Sequence, residues 1–226
     1  YDEDSKFWVE VGGTVYEDTI SVEVDHFTKF AVLVVGAAEI DAKTEESNTP
    51  SFSDIGGHWA EANIKQAVQH GIVTGYPDGT FKPNATVTRA QFTVMLMNAL
   101  KSEADGVPLN FIDEQEIVAW ARSAVARSVQ AGIVSGYSDG SFRPGANISR
   151  AELAVMAARV YGATESSESA AGFVDDSEIP VWARSAVAKV KQLGIVSGQG
   201  GNQFAPNANA TRAEAVTIIL NLLSKK

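Results

Sequence analysis

The chain has no cysteine among its 226 residues, which excludes disulfides and thiolate metal sites. Histidine is scarce, and His26, His58 and His70 do not fall at metal-ligand spacing. Positive charge is also short: 18 Lys and Arg stand against 28 Asp and Glu, for a net charge of −10. That balance argues against wholesale binding to nucleic acid or to an anionic membrane, so any anionic partner must be met by local clusters of cations. No apolar run approaches the ~18 residues of a membrane span, and no signal peptide is visible. The chain opens on Tyr1 in strand-like sequence. The expectation is therefore the C-terminal part of a longer, processed chain whose export signal lay upstream.

What the chain does have is one stretch written three times: Thr88-Arg89-Ala90-Gln91, Ser149-Arg150-Ala151-Glu152 and Thr211-Arg212-Ala213-Glu214. Each precedes an apolar run of helical period, and each pairs Ser or Thr with Glu or Gln three residues on, the pattern of a capping box. Each should start a helix. The arginines then fall at the first helical position, beside the positive end of the dipole, where a cation is unfavourable by roughly 0.3–1 kcal/mol. The same local rule broken in every copy points to a task other than stability. A guanidinium beside free helix N-terminal amides suits an anion, a carboxylate in particular. The competing reading is structural, each arginine pairing with an Asp or with the Glu of a neighbouring copy.

The rest of the chain divides by pattern. Residues 1–36 read as β, with Trp8, Val9 and Val11 leading into Gly12-Gly13, alternation at Ile20, Val22 and Val24, and an apolar strand from Phe30 to Val35. So few strands are marginal alone, which suggests the end of a larger β-domain. Residues 37–51 are polar, acidic and aperiodic, a linker. Three copies follow at 52–101, 111–161 and 173–223. They open on Phe52-Ser-Asp54, Phe111-Ile-Asp113 and Phe173-Val-Asp175, then Trp59-Ala60, Trp120-Ala121 and Trp182-Ala183. Gly71-Ile-Val-Thr-Gly75, Gly132-Ile-Val-Ser-Gly136 and Gly194-Ile-Val-Ser-Gly198 come next, spaced by 61 and then 62 residues. Phe81, Phe142 and Phe204 precede Pro83, Pro144 and Pro206. Ile64, Ala67 and Val68 share one helical face, and Gly71 should stop that first helix. Tyr76-Pro77-Asp78-Gly79 is a turn. Each copy alone buries too little, so a shared three-fold bundle of the second helices is expected.

This pattern, Phe-x-Asp, Trp-Ala, Gly-Ile-Val-x-Gly-Tyr-x-Asp-Gly-x-Phe-x-Pro and Thr-Arg-Ala-Glu, resembles that of S-layer homology (SLH) repeats over residues 52–223. The resemblance implies a mainly α, pseudo-three-fold assembly of three helix-loop-helix repeats. It implies a non-catalytic anchor on the bacterial cell wall, binding a secondary cell-wall polymer, often through ketal-pyruvylated sugars. It places Arg89, Arg150 and Arg212, Trp59, Trp120 and Trp182, and Asp54, Asp113 and Asp175 in grooves between neighbouring repeats. No cofactor and no metal is implied. Two departures stand out. Gln91 replaces Glu in the first copy, and Gln199-Gly-Gly-Asn-Gln203 lacks the Tyr and Asp of Tyr76/Asp78 and Tyr137/Asp139. The groove served by that third loop is the one the resemblance supports least.

Each residue also has a plainer role open to it. The tryptophans are either core or a surface on which a sugar stacks. The aspartates are either turn residues or ligand contacts. Tyr76 and Tyr137 are either packing or sugar-contacting. The acidic clusters around Asp113-Glu114-Glu116 and Asp175-Asp176 sit in solvated runs rather than across a cleft, so glycosidase chemistry is not expected. Two other readings remain: a helical scaffold for another protein, and self-cleavage of the β part. The latter rests on Asp25-His26-Phe27-Thr28, which resembles autoproteolytic His-Leu/Phe-Ser/Thr sites, with Thr28 as nucleophile and His26 as base. The flanking cysteines of those domains are missing.

Overall fold

The computed structural model describes residues 14–16, 19–21, 51–102, 104–162 and 170–225. The chain forms two units, Tyr1–Asn48 and Thr49–Lys226, and the division falls inside the expected linker. In the first unit, β1 (Thr14–Tyr16) pairs antiparallel with β2 (Thr19–Ser21), Val15 opposite Ile20. The expected strands at Trp8–Val11 and Phe30–Val35, and the His26-Phe27-Thr28 stretch, lie outside the described residues.

The second unit is helical: α1 (Glu61–Gln69), α2 (Arg89–Leu100), α3 (Ala119–Gln130), α4 (Arg150–Arg159), α5 (Val181–Gln192) and α6 (Arg212–Leu223). The even-numbered helices start where the capping boxes are written. The Thr88, Ser149 and Thr211 hydroxyls accept from the N3 amides, and Gln91, Glu152 and Glu214 accept from the cap amides. Gln91 completes its box as well as Glu does. The odd-numbered helices end at Gly71, Gly132 and Gly194, which hold φ near +70°, the left-handed stop that glycine takes without a Cβ penalty.

The helix pairs do not follow the copies. Each first helix packs on the second helix of another copy: α3 on α2, α5 on α4, and α1 on α6, which closes a ring. The α6 helix also touches α2 and α4, placing the second helices at the centre. Phe92, Leu96, Leu153, Val216 and Ile219 are fully buried there. On the pseudo-three-fold axis lies a closed circuit of backbone hydrogen bonds: Val87 N–H to Ala210 C=O, Ala210 N–H to Ile148 C=O, and Ile148 N–H to Val87 C=O, at 3.0, 2.9 and 3.0 Å. All three side chains are fully buried. Burying a Val or Ile this way is worth roughly 1.5–3 kcal/mol apiece, and the circuit satisfies six backbone groups that burial would otherwise leave unpaired.

Around the circuit, the helix starts dock into neighbouring loops. Arg89, Arg150 and Arg212 N–H donate to the Ala146, Ala208 and Ala85 carbonyls, and Ala90, Ala151 and Ala213 N–H to the Pro144, Pro206 and Pro83 carbonyls. This corrects one expectation. The helix N-terminal amides beside the arginines are not free to hold an anion, because the next copy's loop has taken them.

The three aspartates organise those loops. Asp54 accepts from Phe81 and Lys82 N–H at 2.8 and 2.7 Å. Asp113 does the same for Phe142 and Arg143, and Asp175 for Phe204 and Ala205. The second residue of each pair, Lys82, Arg143 or Ala205, holds φ between +53° and +58°. That conformation costs a non-glycine residue roughly 1–2 kcal/mol, and two charge-assisted bonds from one carboxylate offset it.

Candidate functional site

The arginines, read in sequence as a departure from helix electrostatics, are 7, 5 and 8 % exposed at Arg89, Arg150 and Arg212. Each guanidinium reaches into another copy. Arg89 Nη2 donates to Ser135 C=O at 2.9 Å, and Arg212 Nη2 to Thr74 C=O at 3.1 Å. Arg150 Nη2 lies 3.4 Å from Ser197 C=O. These carbonyls belong to the variable residue of each Gly-Ile-Val-x-Gly segment. Arg150 Nε and Arg212 Nε also donate to Phe204 and Phe81 C=O, at 2.6 and 2.9 Å. Arg89 Nε has no hydrogen-bond partner and is buried.

The capping-box acids have a second role. Arg150 Nη1 lies 2.5 Å from Glu214 Oε1, and Arg89 Nη1 lies 3.7 Å from Glu152 Oε1. The pairing with the Glu of a neighbouring copy is thus real. The arginines serve the fold, which corrects the expectation that stability had no use for them. By the same rotation the residue facing Arg212 is Gln91, and no carboxylate lies within ion-pair distance of Arg212 among the described residues.

Aromatic faces complete each guanidinium's surroundings. Arg89 sits 4.9 Å from the Tyr137 ring centre, and Arg212 sits 5.0 Å from that of Tyr76. Tyr137 OH donates to Glu152 Oε1. Burial first, and then that hydrogen bond, push the Tyr137 phenol up to about 12. Burial opposes the ionised form of Glu152, but bonds from Tyr137 and Ser149 and the charge of Arg89 outweigh it and hold its pKa below the ordinary carboxylate value. Burial pulls Arg89 and Arg212 below the ordinary guanidinium value, as expected when a cation is only partly compensated.

The tryptophans are not core. Trp59, Trp120 and Trp182 are 63, 43 and 51 % exposed. Trp59 lines a cleft of about 360 Å³ together with Arg150, Gln199, Glu214 and Asn221. That cleft therefore draws its Trp from copy one, its Arg from copy two and its loop from copy three. The helix pairing of α3 with α2 and α5 with α4 sets the equivalent combinations as Trp120 with Arg212 and the Tyr76 loop, and Trp182 with Arg89 and the Tyr137 loop. The groove that the third loop serves, the least supported from sequence, is the one with this cleft. Gln199 Nε2 donates there to Glu214 Oε1 at 2.7 Å, a bond to the same acid position that Tyr137 uses in its own groove.

One position was missed in sequence. Asn98, Arg159 and Asn221 stand nine residues after the arginines and donate to the Ile72, Ile133 and Ile195 carbonyls. Superposing the copies would have revealed it, since Arg159 is the odd one of the three. The acidic clusters set aside as catalytic candidates are local pairings: Glu114 bonds Arg122, and Asp176 folds back on the Gly172 and Phe173 amides.

The S-layer homology domain pattern matches residues 51–93, 110–154 and 172–216. The chain belongs to the S-layer homology family. It is 37 % identical to an amylopullulanase of Thermoanaerobacterium thermosulfurigenes over all of this chain, which is 12 % of that enzyme. It is 37 % identical to the exoglucanase XynX of Acetivibrio thermocellus over 77 % of this chain and 16 % of the enzyme. It is 32 % identical to the S-layer protein EA1 of Bacillus anthracis over 75 % of this chain and 20 % of that protein. The chain thus spans about a fifth or less of these relatives. SLH repeats are a non-catalytic module that binds cell-wall polysaccharide and anchors S-layer proteins and exoenzymes to the bacterial cell wall, and the location is extracellular. No helix among the described residues is long and apolar enough to cross a membrane.

Proposed function

We propose that this SLH module fixes an attached S-layer protein or exoenzyme to the wall by gripping an anionic, pyruvylated polysaccharide in the grooves between copies. The observation that carries this reading is a buried arginine reaching into another copy's loop in every repeat, at Arg89, Arg150 and Arg212, together with an exposed tryptophan leading each first helix, at Trp59, Trp120 and Trp182. A guanidinium held in a fixed direction suits the ketal carboxylate. An exposed indole beside it offers a flat apolar face for the sugar ring. In this reading Arg89, Arg150, Arg212, Trp59, Trp120 and Trp182 face the ligand, Tyr76 and Tyr137 edge their grooves, and Asp54, Asp113 and Asp175 contribute by holding the loops. The relatives, two polysaccharide-degrading enzymes and an S-layer protein by name, support an upstream cargo of either kind.

The test is sedimentation with purified cell-wall sacculi, native and stripped of pyruvate by mild acid. The module should pellet with the first and stay in solution with the second. Equal retention on both would remove the pyruvyl group from the proposal, and retention only by a protein component would favour a scaffold role instead.

A further inference from the structure

We infer that the three grooves divide the polymer's charge: those built on Arg89 and Arg212 take its carboxylates, and the one built on Arg150 takes an uncharged sugar. This rests on the groove reading above and goes beyond it, because three-fold repetition alone would make the sites equal.

The difference lies in which counter-charge the fold supplies. In the Arg150 groove a carboxylate's place on the guanidinium is already filled. Glu214 lies 2.5 Å from Arg150 Nη1, Arg150 Nε is bonded to Phe204 C=O, and the position nine residues along a helix is the neutral Asn221. In the Arg89 groove the corresponding acid, Glu152, is bonded by Tyr137 OH and Ser149 much as Glu214 is by Gln199 and Thr211, but it stands off from the guanidinium at 3.7 Å. Arg89 Nε is left buried and unpartnered. A second guanidinium meets the first at one residue: Arg159 Nη1 donates to Ser135 Oγ at 3.0 Å while Arg89 Nη2 donates to Ser135 C=O. In the Arg212 groove the acid is simply absent, since Gln91 stands in its place. Other charges do not change the ranking. The Phe-x-Asp carboxylates occur in all three grooves, each tied to two backbone amides. The exposed loop cations Lys82 and Arg143 are paired with Asp78 and Asp139. Two grooves therefore carry one positive charge more than the third. An incoming carboxylate meets an under-compensated buried cation in those two. In the third it would have to displace Glu214 or sit against it.

The chain supplies its own controls. Gln91 shows that Gln completes the capping box, and Glu152 and Glu214 show that Glu does, so Gln91→Glu and Glu214→Gln each exchange charge while keeping the cap. The probe is a short, singly pyruvylated oligosaccharide cut from the purified wall polymer, with the same fragment after removal of its pyruvate as reference. Calorimetric titration of the 226-residue chain should find two pyruvylated fragments bound. Gln91→Glu should reduce that to one, and Glu214→Gln should raise it to three. Thermal melting of each variant confirms folding. If Glu214→Gln does not fold, Gln91→Glu alone decides. Three equal sites in the parent chain, or a stoichiometry that Gln91→Glu leaves unchanged, would overturn the division of charge while leaving groove binding standing. A chain that sediments with sacculi but binds no fragment, and whose sedimentation Arg89→Ala and Arg212→Ala together leave untouched, would overturn the groove reading and this inference with it.

Discussion

Arg150 Nη1 and Glu214 Oε1 stand 2.5 Å apart across the boundary between the second and third copies, whereas the equivalent Arg89 and Glu152 stand 3.7 Å apart. Removing one partner of a buried pair costs roughly 3–5 kcal/mol, and Arg150→Ala falls toward the lower end because Glu214 keeps its bonds from Gln199 and Thr211. Arg150→Ala also orphans the Phe204 carbonyl. Arg89→Ala forfeits one good bond to Ser135 C=O, while Glu152 keeps its bonds from Tyr137 and Ser149, so a loss of about 1–3 kcal/mol is expected. Urea denaturation should therefore rank Arg150→Ala well below Arg89→Ala in stability. Equal midpoints would mean that the Arg150–Glu214 pair is not an asymmetric brace.

Much of this was legible in the sequence because it is local. The capping boxes, the glycine stops and the Tyr-Pro-Asp-Gly turn depend on residues within four positions, and each stands where it was written. What lay beyond reach was long-range. The helix that α1 packs on is α6, at the far end of the sequence. The circuit through Val87, Ile148 and Ala210 joins residues with no unusual identity. Glu152 and Glu214 showed their capping role in sequence, but which arginine each one faces depends on the rotation between copies. The tryptophans could not be assigned from composition, since an indole leading a helix serves a core or a surface equally well, and only the cross-copy docking leaves them exposed.

The ring closure makes the third copy necessary to the first. Ile64 and Ala67 of α1 are fully buried, and α6 is the helix they pack on. A chain ending at residue 161 loses α6 and α5, exposing α1 and one face of α4. Hydrogen exchange in that fragment should speed up first in α1, although α1 lies farthest from the cut in sequence. Unchanged protection of α1 would show that the copies fold independently.

The aspartate clamps predict a distinct phenotype. Asp113→Ala removes two charge-assisted bonds, to Phe142 and Arg143 N–H, at 2.8 and 2.7 Å, and releases a left-handed residue that the carboxylate was holding. A loss of roughly 3–6 kcal/mol follows from two bonds to a charged group at about 1.5–3 kcal/mol each. Adding Arg143→Gly removes the left-handed strain and should recover part of that loss. If the double change is no more stable than Asp113→Ala, strain at Arg143 is not what the carboxylate offsets.

The Tyr137–Glu152 contact predicts a pH response with a sign at each end. The Glu152 carboxyl is held below its ordinary value of 4.5, so its contribution to stability is complete above that pH and is lost as pH falls through the lowered value. The Tyr137 phenol is pushed up to about 12 from 10.0, so its contribution is complete below pH 10 and disappears as pH rises toward 12. Between these limits the hydroxyl donates to an ionised carboxylate, the stronger form of such a bond. Ultraviolet titration should show a last phenol ionising near 12, later than the raised Tyr161, and Tyr137→Phe should delete that last phase while leaving the earlier ones in place. The same substitution should flatten stability between pH 10 and 12 relative to the parent chain. It should also narrow the acid-side loss, because Glu152 is then held down by Ser149 and Arg89 alone. A phase near 12 that survives Tyr137→Phe would assign it to Tyr161, whose phenol is also raised by burial, and would remove the Tyr137 bond from the account of how Arg89 is left under-compensated.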